Sequence, residues 1–393
     1  MGLSLLILVA FIGTASLRLV LPFVTYFLRE DLSATMVGIA SITAGFMLTR
    51  AISSIISSTI VEETGKVLLT VVVGMTLNIV IIGMYSLVSN WIEAIILRIF
   101  QGFLSGMTWP LIQLIVALAS PKHLRGRILT LYFAVGSLGI FFGNAIYALI
   151  YEASMEYGLF ISICMLLLSI ALVIISIRIL DFKYIPKPEL SIKPSERITS
   201  RVRELALSVF IGGFAIAYGS VVTIGSIAYV YLYEVFSVPK PITALILGTS
   251  GVVGILSSLV LGWIADKKSE VLAISIPLVA IILAPVLLLI KNTELLLVSI
   301  ILIAIAIKAY TPLSRRVIAV HTDRPASGIG RVNAIMNMGI SVGHLIFGVS
   351  YDTIYPLTYS ISMVEIVLPS IVLLIASPLA LVSLVMLIRG FKR

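Results

Sequence analysis

Charge and cysteine are what this sequence has least of, and each scarcity excludes something. Asp, Glu, Lys and Arg make up 11% of the 393 residues, where a soluble globular chain carries about a quarter. Too little polar surface is left to cover a water-soluble domain. The one cysteine, Cys164, lies inside an apolar run, which rules out an intrachain disulfide. The three histidines, His123, His321 and His344, stand far apart, and no grouping of His, Asp and Glu has ligand spacing. No metal or other cofactor is expected. Gly65-Lys66 lacks the preceding glycine and the following Ser or Thr of a phosphate-binding loop, so no nucleotide site is expected. A membrane-embedded transferase, a reading of a different class, needs an acid, base or metal cluster at a membrane face. The sequence shows none, and the chain is expected not to be an enzyme.

What is there is apolar. Hydrophobic residues are 60% of the chain and the mean hydropathy is +1.17. Six runs, each long enough to cross a hydrocarbon layer of ~30 Å as a helix of about 20 residues, fall between positions 2 and 180. Six more fall between 205 and 388, the first near 205–235 and the last near 357–388. No water reaches that depth, so backbone groups must pair within each run. Runs this long and uniform read as helices, not barrel strands. The expected fold class is all-α, with twelve transmembrane helices in two six-helix bundles, residues 1–180 and 205–393. A polar linker, 181–204, joins them and contains Pro186, Pro188 and Pro194. The N-terminus enters an apolar stretch without a charged leader or cleavage signal and reads as a retained first span.

The formal charge of +9 does not imply nucleic acid, because the basic residues sit in short breaks between spans. One set of breaks holds Lys66; Lys122, Arg125 and Arg127; seven residues from Arg178 to Arg203; Lys267 and Lys268; Arg315, Arg316, Arg324 and Arg331; and Arg389, Lys392 and Arg393. The alternate breaks hold only Arg29, Lys240 and Lys291. The positive-inside rule then places both termini and the linker in the cytoplasm of a multi-pass plasma-membrane protein. Its expected partners are the lipid bilayer and a small molecule, not nucleic acid, and a monomer is expected.

The chain repeats itself at an offset of 204 positions. That shift lays Ser58 on Gly262, Ile60 on Ile264, Glu62 on Asp266, Arg127 on Arg331, Gly139 on Gly343 and Leu3-Ser4 on Leu207-Ser208. Several matches at one shift read as a duplicated bundle. The stretches 58–67 and 262–271 resemble the G-x-L-A-D-R-x-G-R-R motif after the second helix of the major facilitator superfamily. Gly262, Ile264, Ala265, Asp266 and Lys267 match in the second copy, Gly65 and Lys66 in the first, with Glu62 in place of Asp. Arg98-Ile-Phe-Gln-Gly102 is similar to that family's fourth-helix R-x-x-Q-G, and Leu124-Arg-Gly-Arg127 to its R-G-R loop. Gly136, Gly139 and Gly143 resemble its glycine-rich fifth helix without the usual Gly-Pro. The resemblance implies secondary transport by alternating access, with the two bundles rocking about a midplane site. It also implies a cytoplasmic gate at Ser58, Glu62, Gly65, Lys66, Arg127, Gly262, Asp266, Lys267 and Arg331. Small-residue stripes at Gly136, Gly139 and Gly143, and at Gly251, Gly254, Ser258 and Gly262, would by that resemblance face each other across the bundles. A non-transporting sensor would not need gate motifs in both halves.

Charges inside the spans need a reason, since each costs at least ~2.5 kcal/mol on insertion scales. Arg18, Arg50 and His344 lie mid-span and Lys308 in the inner half of its span. Helical spacing puts Arg50 on a polar face, groups Arg98 with Gln101, Ser105 and Thr108, and groups Asn337 with Asn333, Ser341 and His344. Arg18, Arg50, Gln101, Asn337, His344 and Lys308 are therefore the expected substrate contacts. Arg98 is expected to serve coupling or structure. His344 is a candidate proton site, and a coupling proton or counter-ion is the further expected partner. Glu30, Asp31, Glu93, Glu152, Glu156, Glu234, Glu294 and Asp352 cluster near the outer ends of spans, with Glu365 a few residues into the last, and none of these acids is central. A surplus of buried positive charge points to an organic or inorganic anion or a neutral metabolite. The alternative is a multidrug or metabolite efflux antiporter driven by protons.

Overall fold

The computed structural model describes residues 1–64, 66–121, 124–180, 200–321, 325–354, 357–361 and 364–392. Gly65 and most of the linker, 181–204, lie outside the described residues. Among the described residues twelve helices are long and apolar enough to cross a membrane. In chain order the elements are α1 (Gly2–Glu30), α2 (Met36–Thr64), α3 (Val67–Met84), α4 (Trp91–Ala119), α5 (Arg125–Ile150), α6 (Met155–Ile179), α7 (Ser200–Gly219), α8 (Ile227–Phe236), α9 (Lys240–Lys267), α10 (Glu270–Leu287), α11 (Thr293–His321), α12 (Pro325–Thr353), strands β1 (Thr358–Ile361) and β2 (Val364–Val367), and α13 (Ala376–Lys392).

Two departures from the expected spans stand out. The run near 205–235 is not one helix: α7 stops at Gly219, and α8 resumes at Ile227 after an unwound stretch. The last run does not begin as a helix. The strands β1 and β2 pair antiparallel, setting Thr358 opposite Val367 and Ile361 opposite Val364, and a 3-10 turn, Leu368–Ile375, follows. The segment Thr-Tyr-Ser-Ile…Val-Glu-Ile-Val is rich in the β-branched and aromatic residues that suit a pleated pair. The strand pair is tied to the connection between α10 and α11, where the Lys291 amide donates to the Glu365 carbonyl at 2.8 Å. Glu365 is thus an exposed strand acid pairing with Lys291 at 2.7 Å, not part of a helix.

The chain forms two compact units, Met1–Ala34 with Gly45–Leu190 and Lys240–Gly248, and Thr35–Ala44 with Ser191–Pro239 and Thr249–Arg393. In the first, α1 packs on α5 and α6, and α3 on α4 and α6. Serines bind α1 to α6: Ser176 Oγ donates to the Gly2 carbonyl at 2.6 Å, and Ser16 Oγ to the Ser162 carbonyl at 2.9 Å. Where apolar attraction between helices is weak in lipid, such bonds and close packing hold a bundle. A Cβ at Gly139 or Gly143 would collide with the Phe11 or Ala15 carbonyl, so this stripe seats α5 on α1 within the unit.

In the second unit, α7 packs on α12 and α13, and α10 on α11 and α13. Ser383 Oγ donates to the Ser208 carbonyl at 2.7 Å, a counterpart of the serine bonds between α1 and α6. The first turn of α2 belongs here too. Asp352 of α12 accepts the Met36 amide at 2.8 Å and the Val37 amide at 2.7 Å, placing an anion on otherwise unmatched N–H groups at the positive end of a helix. Of the glycines in the α9 stripe, Gly254 presses on the Ala304 carbonyl of α11, while Gly251 and Gly262 face open space.

Candidate functional site

In the first unit the polar face of α4 turns inward. Gln101 is fully buried and Arg98 is 9% exposed. Arg98 Nη1 donates to Gln101 Oε1 at 2.5 Å, the Tyr85 hydroxyl donates to the same oxygen at 3.3 Å, and the guanidinium lies 4.6 Å from the centre of the Phe46 ring. The amide nitrogen of Gln101 is buried without a hydrogen-bond partner among the described residues. Two glycines make this arrangement reachable. A Cβ at Gly102 would strike the Phe46 carbonyl, and one at Gly106 the Arg50 carbonyl and Ser53 hydroxyl, so α4 and α2 approach backbone to backbone.

That approach fixes α2 where it carries Arg50. The partly buried Arg50 interacts electrostatically with the buried Tyr132 of α5. It joins no ion pair among the described residues; those pairs are Lys240 with Glu30, Lys291 with Glu365, Arg316 with Asp266 and Glu270, and His321 with Glu270. Arg18 is partly buried on α1, its Cβ against Gly143 of α5.

In the second unit the unwound stretch between α7 and α8 is clasped from two sides. Thr43 Oγ1 accepts the Ser226 amide at 2.9 Å and donates to its hydroxyl at 3.3 Å. His344, fully buried, sets Nδ1 2.7 Å from the Ile340 carbonyl and Nε2 2.8 Å from the Ile224 carbonyl at the break. Gly225 between them has φ +82°, the left-handed region that favours glycine, and a side chain there would meet Thr43 and His344 Nε2. Asn337 is partly buried on α12, its carbonyl accepting from Ser341 Oγ at 2.9 Å. Lys308 lies on α11 with its stem against Gly254. Sequence reasoning missed Arg315, whose Nη2 donates to Asn333 Oδ1 at 2.9 Å.

In the stretch expected to form a gate, Asp266 pairs with an arginine other than Arg331. Asp266, at the end of α9, pairs with Arg316 of α11, which also reaches Glu270 at 3.3 Å, and Glu270 accepts His321 Nε2 at 3.0 Å. Arg331 is exposed and forms no ion pair among the described residues, and the same holds for Arg127. Lys66 and Lys267 are exposed. Ser58 and Glu62 lie on α2, and Gly65 lies outside the described residues. The positional repeat matched Arg127 to Arg331, but a charge pair is set by distance across neighbouring helices, and there α11 reaches Asp266.

Twelve spans and these motifs agree with what sequence comparison finds: the family model described as Major Facilitator Superfamily matches residues 6–348. The chain belongs to the Major Facilitator Superfamily. It is therefore a secondary transporter, in a family of transporters and not of enzymes. No curated protein sequence matches it. Among solved structures, the nucleoside transporter NupG, as a D323A mutant, superposes with TM-score 0.75 at 14% identity over 100% of both chains. NupG without that substitution gives 0.68 at 15% over 100% of this chain and 99% of its own. A bacterial homolog of the human lysosomal transporter Spinster, inward-facing and occupied, gives 0.64 at 14% over 99% and 94%. At such identities the likeness concerns the fold alone.

Proposed function

We propose that this transporter carries an anionic or uncharged small molecule by alternating access, with Arg50 among its substrate contacts. The observation that supports this is the setting of Arg50 itself. A guanidinium within a spanning helix has a phenol, Tyr132, as its electrostatic neighbour, and no carboxylate pairs with it among the described residues. A cation within a membrane span and without an opposite charge is costly, and a substrate that supplies negative charge or acceptor oxygens offsets that cost. Gln101 adds an unused buried amide donor in the same unit. Arg18, Asn337, His344 and Lys308 are the remaining contacts of the proposal, Arg98 a structural or coupling residue, and the Asp266–Arg316–Glu270 cluster a gate in the cytoplasm beside both termini. The domains are proposed as 1–180 and 205–393.

The test is a thermal-shift screen of the detergent-purified protein against succinate, inorganic phosphate, uridine and the cation tetraphenylphosphonium, because a ligand of the folded state raises apparent stability by mass action. Uridine belongs in the panel because a structural neighbour, NupG, is a nucleoside transporter. An anion or uridine is expected to stabilise the native chain and to do so at least ten-fold more weakly in Arg50→Ala. Stabilisation by the cation alone, equal in both proteins, contradicts the proposal.

A further inference from the structure

We propose that Arg315 and Asn333 form an anion-binding fork in the second unit, so that the transported molecule carries a carboxylate or phosphate group. This rests on the anion reading above and narrows it.

Arg315 and Arg316 are neighbours on α11 with opposite fates. Arg316 turns to Asp266 and Glu270 and is neutralised there. Arg315 turns to α12, where its partner is an amide: Nη2 donates to Asn333 Oδ1 at 2.9 Å. Its Nε is buried and has no hydrogen-bond partner among the described residues, and Arg315 joins none of their ion pairs. Buried donors are ordinarily satisfied, and an exception calls for a ligand or a function.

The two helices offer no internal acid to fill the gap. The acid on α11 is Glu294, at its opposite end, and the acid on α12 is Asp352, nineteen positions beyond Asn333 and engaged in capping α2. Lys308, two turns before Arg315, lies on the same face of α11, and Asn337, one turn after Asn333, on the same face of α12. The strip therefore holds two cations and two amides. A guanidinium presents a planar set of five N–H donors that matches the paired oxygens of a carboxylate or phosphate. Asn333 holds one of these donors and so fixes the plane of the fork, leaving the Nε–H for a ligand. An uncharged solute would leave the charge of the fork uncompensated.

The experiment titrates the full detergent-purified chain with sodium succinate and, separately, with inorganic phosphate. Thermal unfolding is the readout, with sodium chloride at equal ionic strength as control. One of the anions is expected to raise the unfolding temperature saturably. Arg315→Gln is expected to weaken its apparent affinity at least about ten-fold, or ~1.4 kcal/mol. Arg315→Lys keeps charge without the fork and is expected to lose several-fold, as is Asn333→Ala. If Arg315→Gln is poorly folded without ligand, Arg315→Lys carries the comparison, and native affinity in that variant overturns the fork. If the Arg315 and Asn333 variants bind as the native chain does while Arg50→Ala does not, the fork is a structural contact and the anion reading stands without it. If neither anion gives a saturable shift in the native chain, the anion reading falls and the fork with it.

Discussion

Gly225 shows how much a single position can demand. Its φ of +82° and its closeness to Thr43 and His344 Nε2 make Gly225→Ala doubly unfavourable, by backbone strain and by collision. The expected cost is about 1–3 kcal/mol, read as a lower unfolding temperature in detergent; an unchanged temperature contradicts the described geometry of the break. Asp352 accepts two amides of α2, so Asp352→Ala is expected to cost about 0.5–2 kcal/mol by the same measurement. Neither demand was legible in the sequence. Gly225 sits in Val-Val-Thr-Ile-Gly-Ser, an apolar run that reads as continuous helix, and Asp352 and Met36 are remote along the chain. Arg315 was hidden differently: it was counted with the loop cations that set orientation, and only its bond to Asn333 marks it as inward-turned.

At the scale of elements, the charge cluster around α9, α10 and α11 gives graded expectations. The side chain of Asp266 is 61% exposed and that of Glu270 17%, and exposed ion pairs contribute about 0–1 kcal/mol. Asp266→Ala is expected to leave stability within about 1 kcal/mol of native. Glu270→Ala, which strips partners from both Arg316 and His321 near the start of α10, is expected to cost more; the reverse order in unfolding temperature contradicts this arrangement. The motif itself was readable, since Gly262 to Lys267 fit a known pattern, but its arginine was not, because sequence symmetry favoured Arg331 and spatial neighbourhood favours Arg316. The strand pair β1 and β2 escaped for another reason. Its residues are apolar enough to extend the last span, and hydropathy averages over the strand-like pattern that decides the local conformation.

The whole molecule was the most legible level, because the bilayer imposes few solutions. Long apolar runs must become helices, and twelve such helices are present. The lysine and arginine bias further predicts that protease added to right-side-out vesicles spares tags at both termini, and cleavage of either tag from outside contradicts that orientation. The proposed substrate contacts are a few side chains whose surroundings only the folded chain defines, Arg50 with its electrostatic neighbour Tyr132 above all. The most direct measurement of the central claim is uptake of radiolabelled succinate and phosphate into proteoliposomes holding the native protein or Arg50→Ala, both shown to be folded and equally inserted. Saturable uptake of an anion is expected from the native protein, with at least a ten-fold loss in the variant. Equal uptake by both proteins would contradict that claim.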